Sequence, residues 1–111
     1  MKDIEKIKIV ATSTIEKALN VIDSGAVNIA LVVDTDNKLL GTLSDGDIRR
    51  GLLRKKRLND TIEDIYFRTP ITANKSSSKE SLLNLCSIKR IRQIPIIDVD
   101  QKIIDLFVID D

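Results

Sequence analysis

The chain has 111 residues, 42% of them hydrophobic and 32% charged, with 18 basic residues against 17 acidic ones and a net charge of +1. That length builds one compact domain or two half-domains sharing a core, and the near-balance of charge gives no global attraction to nucleic acid or an anionic membrane. With no His or Trp, one Tyr and two Phe, a histidine-based triad, a His-containing zinc site and an aromatic base-stacking platform all lack their parts. The single Cys86 has no partner for an internal disulfide, which fits a reducing compartment. No apolar run reaches the ~20 residues that span a bilayer, and Met1-Lys2-Asp3-Ile4-Glu5 does not read as a signal peptide. A cytoplasmic domain is expected.

In chain order, residues 1–8 alternate charge with Ile4 and Ile7 and read as a lead-in. Ile9 and Val10 predict a brief strand. Ser13-Thr14-Ile15-Glu16 predicts a capping box from Ser13 to Glu16. Behind it, Ile15, Ala18, Leu19 and Ile22 form a helical apolar stripe, with Gly25 as the stop. Ile29 to Val33 is a continuous, β-branched apolar run that predicts a strand covered on both faces. Asp34-Thr35-Asp36-Asn37-Lys38 has turn chemistry, and Leu39 to Leu43 returns as the hairpin partner. A helix then runs to about Arg54, with Ile48, Leu52 and Leu53 expected to face inward. Gly51 in its middle costs about 1 kcal/mol against Ala, which suggests a close neighbour. Residues 55–72 connect, with Thr61-Ile62-Glu63-Asp64 expected to cap a short helical turn before Thr69-Pro70 breaks it.

The changeover from strand to helix is Gly41-Thr42-Leu43-Ser44-Asp45-Gly46-Asp47-Ile48-Arg49-Arg50. It places a hydroxyl and a carboxylate at a helix N-terminus, where free N–H groups and the positive end of the helix dipole also point. Two readings fit the residues equally well. Ser44-x-x-Asp47 is a capping box, and it is also a set of groups suited to a ligand with vicinal hydroxyls and a phosphate.

The pattern then repeats. An offset of 64 positions (Asp98 against Asp34) aligns the chain with itself from Ile9 to the end without a gap. Ser13 meets Ser77, Glu16 meets Glu80, Leu19 meets Leu83, Asn20 meets Asn84, Lys38 meets Lys102 and Asp47 meets Asp111. The chain reads as an α/β (α+β) protein made of two β-α-β-β-α repeats, residues 9–54 and 73–111. The second repeat stops before its last helix. A single copy could not bury both faces of its sheet, so the two must pack together about a pseudo-twofold axis.

With both halves in view, the chain resembles a pair of cystathionine β-synthase (CBS) domains, the tandem called a Bateman module. The residues that carry the resemblance are Leu31-Val32-Val33-Asp34 with Gly41 through Ile48, and Ile94-Pro95-Ile96-Ile97-Asp98 with a worn Asp105 through Asp111. The narrower stretch from Gly41 to Arg50 is similar to CBS pairs fused to the N-terminus of sugar-nucleotide pyrophosphorylases (nucleotidyltransferases) and, less closely, to sugar-phosphate isomerases. The repeat cut one helix short then suggests part of a longer protein. The resemblance implies a regulatory cleft for an adenine nucleotide (AMP, ADP or ATP, sometimes S-adenosylmethionine) and assembly as a homodimer, here through the apolar face around Ile48, Leu52 and Gly51. It implies that Asp47 accepts hydrogen bonds from both ribose hydroxyls and that Ser44 bonds ribose or phosphate. It places Thr12 near base and phosphate, and Arg92 at phosphate, with a solvated arginine as the equally weighted alternative for Arg92. In the second copy Asp105 and Val108 replace the glycine and the hydroxyl residue, leaving Asp111 vestigial and one working site at most.

Other signals carry less. Arg49, Arg50, Arg54, Lys55, Lys56 and Arg57 read as a solvated helix end, with phosphate contact kept open for Arg49 or Arg50. Cys86 aligns with Ile22 and reads as a packing residue. Asp34, Asp36, Asp98 and Asp100 read as turns rather than a calcium loop, which would need more ligands and a bidentate Glu. No nucleophile–base pair or metal cage points to catalysis. The competing class is a ligand-free structural dimerisation module, and nucleic-acid binding through the basic cluster stands further back.

Overall fold

A computed structural model of the chain describes residues 3–109. Its elements in order are β1 (Lys8–Ile9), α1 (Ile15–Gly25), β2 (Ile29–Val33), β3 (Leu39–Ser44), α2 (Asp45–Leu53), α3 (Lys79–Lys89), β4 (Gln93–Ile97) and β5 (Ile103–Val108), preceded by a 3₁₀ turn over Ile4–Ile7. β1, β2 and β3 form a three-stranded sheet, with β1 parallel and β3 antiparallel to β2. β4 and β5 form an antiparallel pair. No helix among the described residues is long and apolar enough to cross a membrane.

The duplication holds to the residue. α1 maps onto α3, β2 onto β4 and β3 onto β5 at the offset found in the sequence, and each hairpin shifts register at the same step, Val32/Val33 and Ile96/Ile97. The turns repeat as well. Asp34 Oδ1 accepts from the amides of Asp36 and Lys38, both at 2.9 Å, and Asp98 Oδ1 accepts from those of Asp100 and Lys102, also at 2.9 Å. These aspartates are spent on tying turns. The two hairpins meet on the axis itself. Lys38 pairs with its own counterpart Lys102, the Leu39 amide donates to Gln101 O (2.9 Å), and the Ile103 amide donates to Asn37 O (3.1 Å).

The core has three parts. Ile15, Ala18, Ile22, Leu43 and Ile48 fill repeat 1; Leu82, Cys86, Ile94 and Ile96 fill repeat 2; and Ile7, Leu31, Ile103 and Leu106 join the two. β2 is buried at every position, as a strand covered on both faces requires.

Several local expectations are corrected. The first strand is Lys8–Ile9, and Val10 stands 45% exposed beyond it. The cap of α1 is Thr14, whose hydroxyl accepts from the Lys17 amide at 3.1 Å; adjacent hydroxyl residues make the position of a cap ambiguous by one. Ser13 is buried instead, and its hydroxyl has no partner among the described residues. Gly25 is the last residue of the helix rather than the one after it, and the left-handed turn falls to Ala26 (φ 61°); what requires glycine at 25 is space, since a Cβ there would lie 2.5 Å from Ile7 Cγ2. In α2 only Ile48 and Gly51 are buried, since Gly51 packs on Ile65; Leu52 (40%) and Leu53 (76%) face out. The face around Ile48 and Gly51 is therefore spent inside the repeat. The single turn expected at Thr61 to Asp64 is present: the amides of Ile65 and Tyr66 both return to Ile62 O, and Ile62 plugs the core of repeat 1.

A stability comparison checks the cap. Thr14→Ala is expected to cost about 1 kcal/mol in denaturant unfolding, the usual worth of an N-cap. Ser13→Ala is expected to be neutral or stabilising, since it removes a buried hydroxyl that bonds to nothing. A Ser13→Ala cost as large as that of Thr14→Ala would restore Ser13 as the cap.

Candidate functional site

β3 delivers its last residue, Ser44, directly to the N-terminus of α2, and the two halves of the Ser44/Asp47 motif close on each other. The Ser44 amide and hydroxyl donate to Asp47 Oδ2 at 2.9 and 3.0 Å, and the Asp47 amide donates to Ser44 Oγ at 3.3 Å. The capping-box reading is thus correct as far as it goes. The other carboxylate oxygen, Oδ1, accepts from Arg50 Nη2 at 2.8 Å. Asp47 is mostly buried (16% exposed side chain) while the arginine is 60% exposed. The pair rests on a solvated partner and is worth a few tenths of a kcal/mol, on the order of other exposed pairs one helical turn apart.

Beside this cap lies a cavity of about 360 Å³ between the two repeats. Ser44 pairs across the sheet with Ile29, which lines the cavity, and Thr42, two residues back on β3, lines it too. Residues two apart on a strand point to the same side and lie about 7 Å apart. Ser44 and Asp47 do not themselves line the cavity, but the strand sets Ser44 beside its wall. The opposite wall comes from the connector and repeat 2: Thr69, Pro70, Ile71, Ile91, Gln93 and Pro95. The connector is held there by a reciprocal pair of backbone bonds, Thr42 to Phe67 O (2.9 Å) and Phe67 to Thr42 O (2.8 Å).

Thr12 is exposed in the turn before α1, and Arg92 is exposed at the start of β4, between Ile91 and Gln93; neither is among the residues lining the cavity. Arg92 Nη2 reaches Ile109 O at 3.5 Å, and the Ile109 amide donates to Arg92 O at 3.0 Å, which prolongs the β4–β5 hairpin. Asp111 lies outside the described residues. In the basic cluster Arg50 turns back onto Asp47 and Lys56 onto Asp64 (3.0 Å). Cys86 is buried in the core of repeat 2; burial pushes its thiol up, against an opposing pull from the Arg92 charge. A thiol kept protonated in an apolar core is a poor nucleophile.

The cleft related by the pseudo-twofold is closed. The counterparts of Ile71, Ile91, Pro95 and Thr42 are Ile7, Val27, Leu31 and Leu106, and these four pack together in one buried cluster. The 3₁₀ turn over Ile4–Ile7 supplies the plug. A larger hollow of about 530 Å³ lies over Leu82, Ile96 and Phe107. In repeat 1 the corresponding place is filled by α2 and the connector through Ile48, Ile62 and Ile65.

Sequence reasoning did not find the cavity wall. Pro70 and Pro95 were visible as a breaker and as part of a repeated strand, but nothing in their spacing puts them on one wall of a hollow.

The CBS domain family model matches residues 1–54. Inosine-5′-monophosphate dehydrogenase of Methanocaldococcus jannaschii is 24% identical over 98 residues, 88% of this chain and 19% of that protein. A probable arabinose 5-phosphate isomerase of Haemophilus influenzae is 26% identical over 100 residues, 88% of this chain and 29% of that protein. The chain thus spans less than a third of the length of these two relatives. Among solved structures, a CBS domain pair in complex with 5′-methylthioadenosine and S-adenosyl-L-methionine superposes with a TM-score of 0.81 at 24% identity, over 92% of this chain and 83% of that one. A CBS domain protein of Pyrobaculum aerophilum complexed with AMP gives 0.80 at 16% identity, over 97% and 87%. The match to the CBS model thus falls on the first repeat, and the chain as a whole has the fold of a CBS-domain pair.

Proposed function

We propose that the protein is a non-catalytic regulatory module that binds one adenine nucleotide in the cleft between its repeats. The observation that carries this reading is the open inter-repeat cavity adjoining the Ser44/Asp47 cap. Its size falls within the range of small-molecule sites, and its wall is mainly apolar with a few polar groups, which suits a purine ring. The ribose lies at the cap, where Asp47 offers oxygens to a diol, and the base lies beyond Thr42. Phosphate lies toward α2, where free N–H groups and Arg50 favour an anion; Arg92, between the lining residues Ile91 and Gln93, is a second cation for it, and the resemblance adds Thr12. Complexes of similarly folded proteins with AMP and with S-adenosyl-L-methionine support the ligand class.

Because the cleft is walled by both repeats, ligand binding favours the arrangement in which they close on it, and that preference is the signal. The receiver is an attached or associated enzyme of sugar phosphates or sugar nucleotides in the cytoplasm. A nucleotidyltransferase is the choice drawn from the Gly41–Arg50 stretch, and the isomerase relative supports the wider class. The module pairs as a homodimer through its exposed helix surfaces, where Leu52 and Leu53 stand outward.

Isothermal calorimetry of the chain with AMP, ADP and ATP tests the reading, with saturation expected at one ligand per chain because the related cleft is filled by Ile7 and Leu106. Two equivalent sites would contradict the closed cleft, and no binding of any of the three would remove the nucleotide reading. One observation favours a second reading, that of a ligand-free dimerisation module: both Asp47 oxygens are already engaged. A dimer in sedimentation that is indifferent to every nucleotide would support it.

A further inference from the structure

Among the described residues lining the open cavity, Gln93 joins the two repeats by a side-chain hydrogen bond. Its Nε2 donates to Val27 O in the other repeat at 2.8 Å. That bond settles which end of the amide is which, because the flipped arrangement would press Oε1 against a carbonyl oxygen, acceptor against acceptor. Oε1 is left as an acceptor to which no described residue donates. Around it the wall is apolar, formed by Ile71, Ile91 and Pro95. An acceptor fixed in an apolar wall is satisfied only by a donor arriving with the ligand or by water. The counterpart of Gln93 in the first repeat is Ile29, which lines the same cavity and offers no such group.

We infer that Gln93 is a specificity residue whose Oε1 accepts a hydrogen bond from the exocyclic amine of the bound base, selecting an amino-purine. The inference rests on the nucleotide reading and adds to it the group that recognises the base. A site built to hydrogen-bond an amine rejects the analogue without it, because its own acceptor is then left unpaired.

The experiment is calorimetry on the full chain with two ligands that differ only in that amine, AMP and purine riboside 5′-monophosphate. AMP is expected to bind about fivefold more tightly, the usual net worth of one hydrogen bond. Gln93→Met keeps the length of the side chain and removes the acceptor, and should bring the two ligands within about twofold, mainly by weakening AMP. Equal binding of the two ligands by the unaltered chain overturns the inference even if the Met variant fails to fold, and so does a Met variant that retains the full AMP advantage. If neither ligand binds, the nucleotide reading itself fails, a different result from binding without discrimination.

Discussion

Replacing Asp47 with alanine is expected to lower AMP affinity about 10- to 100-fold, the worth of a charge-assisted hydrogen bond at a mostly buried site. The same change removes the acceptor for the Ser44 amide and hydroxyl, so about 1 kcal/mol of folding stability should go with it. The two losses are separable. Ser44→Ala removes the capping hydroxyl but leaves the carboxylate, and should give a similar stability loss with a smaller effect on binding. Ligand would enter by exchange: the diol takes Oδ1 from Arg50, and the freed guanidinium, already 60% exposed, turns toward phosphate. Breaking an ion pair of that kind costs little, so a carboxylate engaged in the free protein is no bar to its use. Calorimetry and a denaturant melt on the same variants read both effects. An Asp47→Ala protein that binds AMP as tightly as the unaltered chain would leave the cap with a purely structural role.

The largest stability effect is expected at Gly41. A Cβ there would lie 2.1 Å from Phe67 O and 2.8 Å from Tyr66 Cδ2. The first of these is backbone, pinned in place by the two Thr42–Phe67 bonds, so it cannot yield without undoing them. No glycine among the described residues has positive φ; the requirement at position 41 is for space, not for an unusual conformation. Gly41→Ala should cost about 3 kcal/mol or more in equilibrium unfolding, at the top of the range for an overpacked site. It should also weaken nucleotide binding, because Phe67 leads into the Thr69–Ile71 wall of the cavity. A variant within about 0.5 kcal/mol of the unaltered chain, the range of ordinary surface changes, would show that the connector can lift away from β3.

What could be read from the residues alone was what local chemistry dictates. The turn at Asp34 and its copy at Asp98 use the same side-chain oxygen on the same two amides, so the repeat showed through modest identity. The strand from Ile29 to Val33 and the Ser44/Asp47 cap follow equally from neighbours in sequence. What stayed hidden depends on neighbours in space. Gln93 meets Val27 across 66 positions, and Thr42 and Ile71 line one cavity only because the connector crosses β3. The outward turn of Leu52 and Leu53 follows from Ile65 claiming Gly51, which a helical period cannot foresee. The shift of the cap from Ser13 to Thr14 is a smaller matter, decided by which of two neighbouring hydroxyls the entering chain buries.

The bonds that join the two hairpins carry a consequence of their own. Lys38 faces Lys102, while Leu39 to Gln101 and Ile103 to Asn37 are one contact used in both directions. Two separate copies of a single half could make the same isologous contact, the geometry of an ordinary C₂ dimer. Joining the halves in one polypeptide removed the need for them to be identical. That freedom lets one half carry Val108 at the position where the other carries Ser44.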